Sequence, residues 1–301
     1  MIPRRRYLVT GTQGQVAQSL AARAASRNDI EIIAVGRPEL DLADTGSIAA
    51  TVEQVAPELI ISAAAYTAVD QAQSEEALAF AINADGPAAL AQAAARRGIP
   101  LVHLSTDYVF SGAKTTPYVE TDETGPTNVY GRSKLEGEQR VLSASPNVAV
   151  LRTAWVYSPY GKNFLKTMLR LAGERPELRV VADQFGNPTS ALDIADAVLK
   201  VADNLLESRD ERMRGVFHMT ATGEASWADF ARAIFAASAA EGGPSSEVVS
   251  ISSSDYPTPA SRPANSRLDC SKLRLSHGVV LPDWHGSTAA IVREILAGRH
   301  G

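Results

Sequence analysis

Short, almost unbroken apolar runs recur along the first half of the chain, each closed by small or polar residues and followed by a stretch with helical spacing. Tyr7-Leu8-Val9-Thr10, Ile30 to Val35, Leu59-Ile60-Ile61, Pro100 to Leu104 and Val148 to Arg152 are such runs, and they read as buried strands. Between them the pattern predicts an alanine-rich helix ending near Arg27 and one capped by Asp44 and running to about Val55. Further helices are predicted from about Ser74 to Asn83, from Gly86 to Arg97, and from Tyr130 to about Ser143. Beyond Trp155 the pattern is more mixed. A helix from Asn163 to about Gly173, a short strand from Arg179 to Ala182 and a helix capped by Thr189 are expected. Short strands follow at Val216 to His218 and Val248 to Ile251, with a helix from Trp227 to Ala240 between them, a long loop from Asp255 to Leu268 and a last helix near His285 to Leu296. Strand and helix alternating in this way predict an α/β fold: a doubly wound parallel sheet over residues 1–155, and a smaller mixed α/β lobe over 156–301 interleaved with the last sheet elements.

Composition narrows the class. A chain of 301 residues, 45% hydrophobic and 21% charged, has enough apolar material for a substantial core. The net charge of −5 argues against a nucleic-acid partner, and the one basic cluster, Arg4-Arg5-Arg6, runs straight into a strand as a solvated flank. Cys270 is the only cysteine, so no intrachain disulfide can form and a reducing cytoplasm is the expected location. No apolar run approaches the roughly 20 residues that cross a bilayer, so no membrane partner is expected. The first strand begins within about six residues of Met1, leaving no room for a signal peptide.

The turn after the first strand reads Gly11-Thr12-Gln13-Gly14-Gln15-Val16-Ala17, which is how a dinucleotide-binding fold begins. Gly11 and Gly14 let the backbone turn tightly and approach a pyrophosphate at the helix amino terminus, while Ala17 suits close packing of helix on strand. Arg37 follows Gly36 at the end of the second strand, where NAD-specific folds place an acid; it suits a 2′-phosphate, and a plain surface arginine is the competing reading. Gln15, Val16, Asp41, Leu42 and Thr67 are the further candidate cofactor contacts. Ala63, Ala64 and Ala65 at a strand end leave room for a flat ligand, although three alanines also suit helix packing. His103 alternates into its strand as a core histidine.

Tyr130 and Lys134 are one helical turn apart and so share a face. An ammonium beside a phenol stabilises the phenolate, so Lys134 is expected to draw Tyr130 down from its usual value near 10 and fit it for proton transfer. Thr106, at the carboxyl end of its strand, supplies the hydroxyl that completes this candidate catalytic set.

These residues resemble the extended short-chain dehydrogenase/reductases, whose fold is Rossmann-type. Within them they are similar to the dTDP-4-dehydrorhamnose reductases, through GQVA at Gly14, AAAYTAVDQAQSE from Ala63, LSTDYVFSG from Leu104, NVYGRSKLEGE from Asn128, RTAWVY from Arg152, NFLKTMLRLA from Asn163, DQFGNPTS from Asp183 and YPTPASRPANSRLD from Tyr256. The last of these is the most specific, because the fold alone does not demand it. The resemblance implies reduction of the C4 keto group of dTDP-4-dehydro-L-rhamnose with NADPH, NADH being an open alternative. Tyr130 would be the proton donor, Lys134 would hold the nicotinamide ribose, and Thr106 would bond the reacting oxygen. Asp107, Trp155 and Asn163 would face the sugar and Arg262 its diphosphate, with a capped loop arginine as the competing reading. Some relatives are dimers bridged by Mg²⁺ through carboxylates. The corresponding positions here look like Ser19 and Leu192, so no metal is expected there, and a monomer or weak homodimer is the expected state. Another nucleotide-sugar reductase or epimerase, and a non-catalytic NADP-binding regulatory subunit, are the alternatives; the second should have lost the tyrosine and lysine pair, which is intact here.

Overall fold

Along strand β1 (Arg5–Thr10) the side chains of Tyr7 and Val9 enter one hydrophobic cluster and that of Leu8 enters another, so the strand is buried on both faces. The computed structural model describes residues 4–298. From β1 the chain continues through α1 (Gln15–Ala24), β2 (Ile30–Val35), α2 (Thr45–Val55), β3 (Leu59–Ser62), α3 (Glu76–Phe80), α4 (Gly86–Arg97), β4 (Leu101–Thr106), α5 (Val129–Ala144) and β5 (Val148–Thr153). The second half runs β6 (Val156–Tyr157), α6 (Phe164–Ala172), β7 (Glu177–Val181), β8 (Phe185–Gly186), β9 (Thr189–Ser190), α7 (Ala191–Glu207), β10 (Gly215–His218), β11 (Ala225–Ser226), α8 (Trp227–Ala240), β12 (Glu247–Ile251), α9 (Ser271–His277) and α10 (Trp284–Leu296).

Six strands form one parallel sheet in the order β10-β5-β4-β3-β1-β2. Leu20 of α1 and Ile194, Val198 and Val201 of α7 cover Tyr7, Val9, Ile61 and Leu151 on one face. Ile48 of α2, Leu90 of α4 and Val141 of α5 cover Leu8, Ile60 and Val150 on the other. Each such leucine, isoleucine or valine, removed from water, contributes about 1.5–3 kcal/mol. The chain leaves β1 for β2 on one side and returns to β3 on the other, so the winding reverses there and a crevice opens outside the carboxyl ends of β1 and β3.

The remaining elements build a second core. Leu165, Phe230, Ile234, Trp284 and Ile291 from α6, α8 and α10 pack together beside a parallel pair of strands, β7 and β12. Ser226 and Asp229 cap α8 reciprocally, each accepting from the other's backbone amide. No helix among the described residues is long and apolar enough to cross a membrane.

Three expectations shift at the element level. The helices expected separately at 74–83 and 86–97 run on through a π turn at Ala81–Asp85. Pro87 has no N–H for the Asn83 carbonyl, which a regular helix would pair with it, and that carbonyl lies instead against Gly137 of α5, where a Cβ would come within 2.0 Å. Ser190 rather than Thr189 caps α7, accepting from the Leu192 amide at 3.2 Å. Thr189 instead donates to the Asn187 carbonyl at 2.8 Å. The stretch after the long loop contains α9, ended by Gly278 in the left-handed region at φ +67°.

Candidate active site

The positions of Thr106, Tyr130 and Lys134 are set by how closely α5 approaches the end of β4. Thr106 ends β4 and caps the turn that follows, accepting from the Tyr108 amide at 3.2 Å and donating to Asp107 Oδ1 at 2.9 Å. Asn128 caps α5 by accepting from the Gly131 amide at 2.8 Å, and its own amide donates to the Ser261 carbonyl at 2.8 Å. A Cβ on Gly131 would stand 2.2 Å from the Tyr108 carbonyl oxygen, so glycine is what lets the first turn of α5 sit against the Thr106 turn. This close approach brings the Tyr130 phenol to Thr106 and sets its ring edge-on to Tyr108, with centroids 5.5 Å apart.

One turn later Lys134 is only 2% exposed. Its ammonium donates to the Leu104 carbonyl at 2.7 Å and lies 3.4 Å from His103 Nε2. Burial draws the Lys134 ammonium down to about 8, while Glu138, a turn further on, holds it up. Tyr130 moves the other way from the sequence expectation: burial pushes its phenol up to about 12, opposed by the Thr106 hydrogen bond and reinforced by the Asp107 charge. The Lys134 ammonium is directed at the strand, and desolvation outweighs any pull it exerts on the phenol. Asp107, 3% exposed, is raised by burial to about 6, with Ser266 and Thr106 opposing.

The candidate cofactor residues outside α5 follow the carboxyl ends of β1, β2 and β3. Gly11 has φ +87°, and a Cβ on it would reach within 3.2 Å of Ala64 Cβ. Thr10 Oγ1 accepts from the amides of Ala63 and Ala64 at 3.0 and 2.9 Å, so the ends of β1 and β3 are tied together beside Ala65 and the exposed Thr67. Gly14 begins α1 without a side-chain cap. Arg37 is exposed, and no hydrogen bond or ion pair engages it among the described residues. Asp41 accepts from the Ala43 amide at 2.9 Å. Leu42 is buried, and its carbonyl lies so near Gly86 that a Cβ there would come within 2.5 Å. Val16 packs against the sheet core. Gln15 is turned to the second half of the chain: its side-chain oxygen accepts from Ser158 at 2.7 Å and Asn163 at 3.0 Å, and its amide donates to the Val156 carbonyl at 3.4 Å. Asn163, expected to face the sugar, caps α6, and its amide is shared among Gln15, Ser158 and Tyr160. These two join sheet to lobe.

Two expected sugar-side residues are engaged within the chain. Trp155, at φ +48°, stacks on Trp227 with centroids 3.6 Å apart, so one of its faces is covered rather than open. Gly186 lies against the same indole, where a Cβ would come within 2.5 Å. Arg262 donates to Asp70 at 2.7 Å and to the Ala260 carbonyl at 3.0 Å, which is the capped-loop arrangement. Ser19 is buried and donates to the Gln15 carbonyl at 2.8 Å, and Leu192 packs against the lobe core. Among the described residues no group of three or more His, Cys, Asp or Glu side chains is placed to hold a metal ion.

Sequence reasoning missed a buried polar group behind Lys134. Glu138 bonds Arg152 at 2.6 Å and accepts from Ser105, with both charged side chains 5% exposed or less. The spacing of Tyr130, Lys134 and Glu138 along one helix face was the available signal. Asn83 bonds Tyr66 and Ser133 and thereby ties the crevice to α5, a role that no local pattern announced.

The model of the RmlD substrate binding domain family matches residues 5–297. The chain belongs to that family. Similar to this RmlD-family chain is the dTDP-4-dehydrorhamnose reductase of Sinorhizobium fredii, 54% identical over 97% of this chain and 98% of the relative. A solved dTDP-4-dehydrorhamnose reductase from Clostridium acetobutylicum superposes with a TM-score of 0.90 at 36% identity, covering 97% of this chain and 99% of the other. One from Bacillus anthracis in complex with NADP gives 0.89 at 35% identity, covering 97% and 100%.

Proposed function

We propose that this chain reduces the C4 keto group of dTDP-4-dehydro-L-rhamnose to give dTDP-L-rhamnose, using NADPH in preference to NADH. The observation that carries the reading is the Tyr130 phenol bonded to Thr106, with Lys134 one helical turn on and buried against the end of β4, in a chain similar over nearly its whole length to reductases of that name. The crevice fits a dinucleotide. Gly11 has the positive φ and close approach of a backbone shaped for a pyrophosphate, the first turn of α1 is uncapped by any side chain, and Arg37 is free to meet a 2′-phosphate. When bound, the reduced nicotinamide supplies hydride to the carbonyl carbon.

The chain's own residues handle the proton and the pose. Tyr130, raised to about 12, is a neutral phenol at physiological pH and gives its proton to the carbonyl oxygen as negative charge develops there. Thr106 turns its hydroxyl from Asp107 to the same oxygen and limits its movement. Lys134 sits beneath as the ammonium that binds the ribose and replenishes the proton. Asp107 accepts from a sugar hydroxyl, Trp155 borders the deoxyhexose, and Arg262 turns from Asp70 to the diphosphate. Residues 1–155 form the dinucleotide-binding part, and 156–301 the substrate lobe together with α7 and β10. We place the enzyme in the cytoplasm as a monomer or weak homodimer, with its product serving surface polysaccharide. The single cysteine and the net charge of −5 support that placement and the lack of a nucleic-acid partner.

The test is oxidation of NADPH with freshly prepared dTDP-4-dehydro-L-rhamnose, run beside the GDP and UDP analogues. Turnover fastest with the dTDP sugar is expected. Turnover only with another nucleotide sugar, or tightly retained nicotinamide with no net oxidation, would replace this reading by a different reductase or an epimerase.

A further inference from the structure

His103 stands on β4 directly opposite Ser62 of β3, and both are fully buried on the face that α5 covers. Its Nδ1 is 3.1 Å from Ser62 Oγ and its Nε2 is 3.4 Å from Lys134 Nζ. An ammonium carries only donors, so Nε2 must be the bare, accepting nitrogen and the ring proton must sit on Nδ1, donated to Ser62. Lys134 then has two of its three protons assigned, one to the Leu104 carbonyl and one to His103, and the third is left for the reaction centre.

We propose that His103 is a positioning residue for Lys134: a neutral imidazole, its ring anchored by the bond from Nδ1 to Ser62, that fixes where the ammonium stands and which way its free proton points. Burial and the neighbouring ammonium keep the ring well below its usual range, so it stays an acceptor at every working pH. The charged surroundings agree. Glu138 supports the ammonium from α5 and is itself held by Arg152 of β5, while β3 contributes only the Ser62 hydroxyl at this point. Removing the acceptor from a desolvated ammonium disfavours its charged form, so the effect appears as a pH shift as well as a loss of rate.

The inference rests on the role given to Lys134 above, and the experiment separates the two. Wild-type turnover on the dTDP sugar tests the function; the difference between variants, and the ring tautomer itself, test His103. In His103→Phe the alkaline limb of kcat/KM should move down by roughly one pH unit, with kcat reduced about tenfold and KM for the sugar changed less than about threefold. His103→Gln, whose carbonyl can accept from the ammonium, should restore the limb. Nitrogen-15 NMR of the wild-type protein should show the proton on Nδ1, a readout needing no turnover. An unmoved limb in folded His103→Phe, failure of glutamine to rescue it, or an Nε2-protonated ring would each overturn the proposal. If His103→Phe does not fold, Ser62→Ala takes its place: a limb shifted in the same direction supports the proposal and an unshifted one overturns it.

Discussion

Replacing Asp107 by asparagine should make the protein more stable and a poorer enzyme, and the gain should depend on pH in a way only a buried carboxyl explains. Asp107 is 3% exposed; Oδ1 accepts from Thr106 at 2.9 Å, while Oδ2 is buried without a partner of good geometry. Burial raises the carboxyl from 3.8 to about 6. At about 1.4 kcal/mol per unit, holding it ionised costs about 3 kcal/mol, as an upper bound. The sign follows from the direction of the shift. Below the unfolded value both states hold the proton and the cost vanishes; it grows between the unfolded value and about 6 and is complete above that. Asparagine keeps the oxygen that Thr106 bonds and removes the charge. Urea denaturation of both proteins should therefore show Asp107→Asn ahead by up to about 3 kcal/mol near pH 8 and by under about 1 kcal/mol near pH 4, while KM for the sugar rises and that for NADPH does not. A stability difference that is the same at both pH values, or a variant less stable near pH 8, would refute the reasoning and mean that the carboxylate is well solvated or well paired.

Tyr130→Phe should lower kcat by roughly 100-fold or more with cofactor affinity little changed, checked by turnover and by equilibrium titration with NADPH; near-full turnover would remove Tyr130 from the mechanism. Because burial sets Lys134 at about 8 and Tyr130 at about 12, the alkaline limb of the wild-type rate profile should fall near the lysine value rather than the tyrosine one. Arg37→Ala should lose NADPH efficiency and keep NADH efficiency, by roughly 10- to 150-fold in the kcat/KM ratio if the side chain meets the phosphate; an unmoved ratio would leave it a surface arginine. Glu138→Gln should cost about 3–5 kcal/mol by urea midpoint, since it leaves Arg152 charged and buried without a counter-charge, and an unchanged midpoint would show that water reaches the pair.

What could be read from the sequence is what local pattern determines. The strands β1 to β5 and β10 are apolar runs bounded by glycine, proline or polar residues, and they were placed to within a residue or two. The placement of Tyr130 and Lys134 on one face of a helix and of Thr106 at a strand end was legible because helical spacing and strand ends dictate where side chains go. The π turn was not, since Gly86 reads as the start of a separate helix and the close approach of the Asn83 carbonyl to Gly137 of α5 is invisible to local pattern. The direction of the Tyr130 shift was missed for a related reason: sequence shows a neighbouring charge but not burial, and here burial is larger. His103 looked like core filling, because its partners, Ser62 and Lys134, lie 41 and 31 residues away along the chain. Trp155 read as facing the sugar, and nothing near it in sequence points to Trp227 as its stacking partner.

The Gln15 link bears on how far this fold can be taken apart and recombined. A designer wishing to exchange sugar preference between relatives would cut the chain after Trp155 and graft a foreign second half. That half, however, also carries α7 and β10, so the graft replaces one of the helices over a face of the sheet and one of its edge strands along with the proposed sugar lobe. It also puts new neighbours where Ser158, Asn163 and the Val156 carbonyl now meet Gln15. Mismatch there acts on the first residue of α1, beside the glycine turn, so a chimera made to change the sugar would also disturb the end of the crevice proposed for the nucleotide. Transplanting Gln15 and the sheet-facing residues of α1 with the second half keeps the seam intact, and the unit of exchange is then defined by contact rather than by chain order.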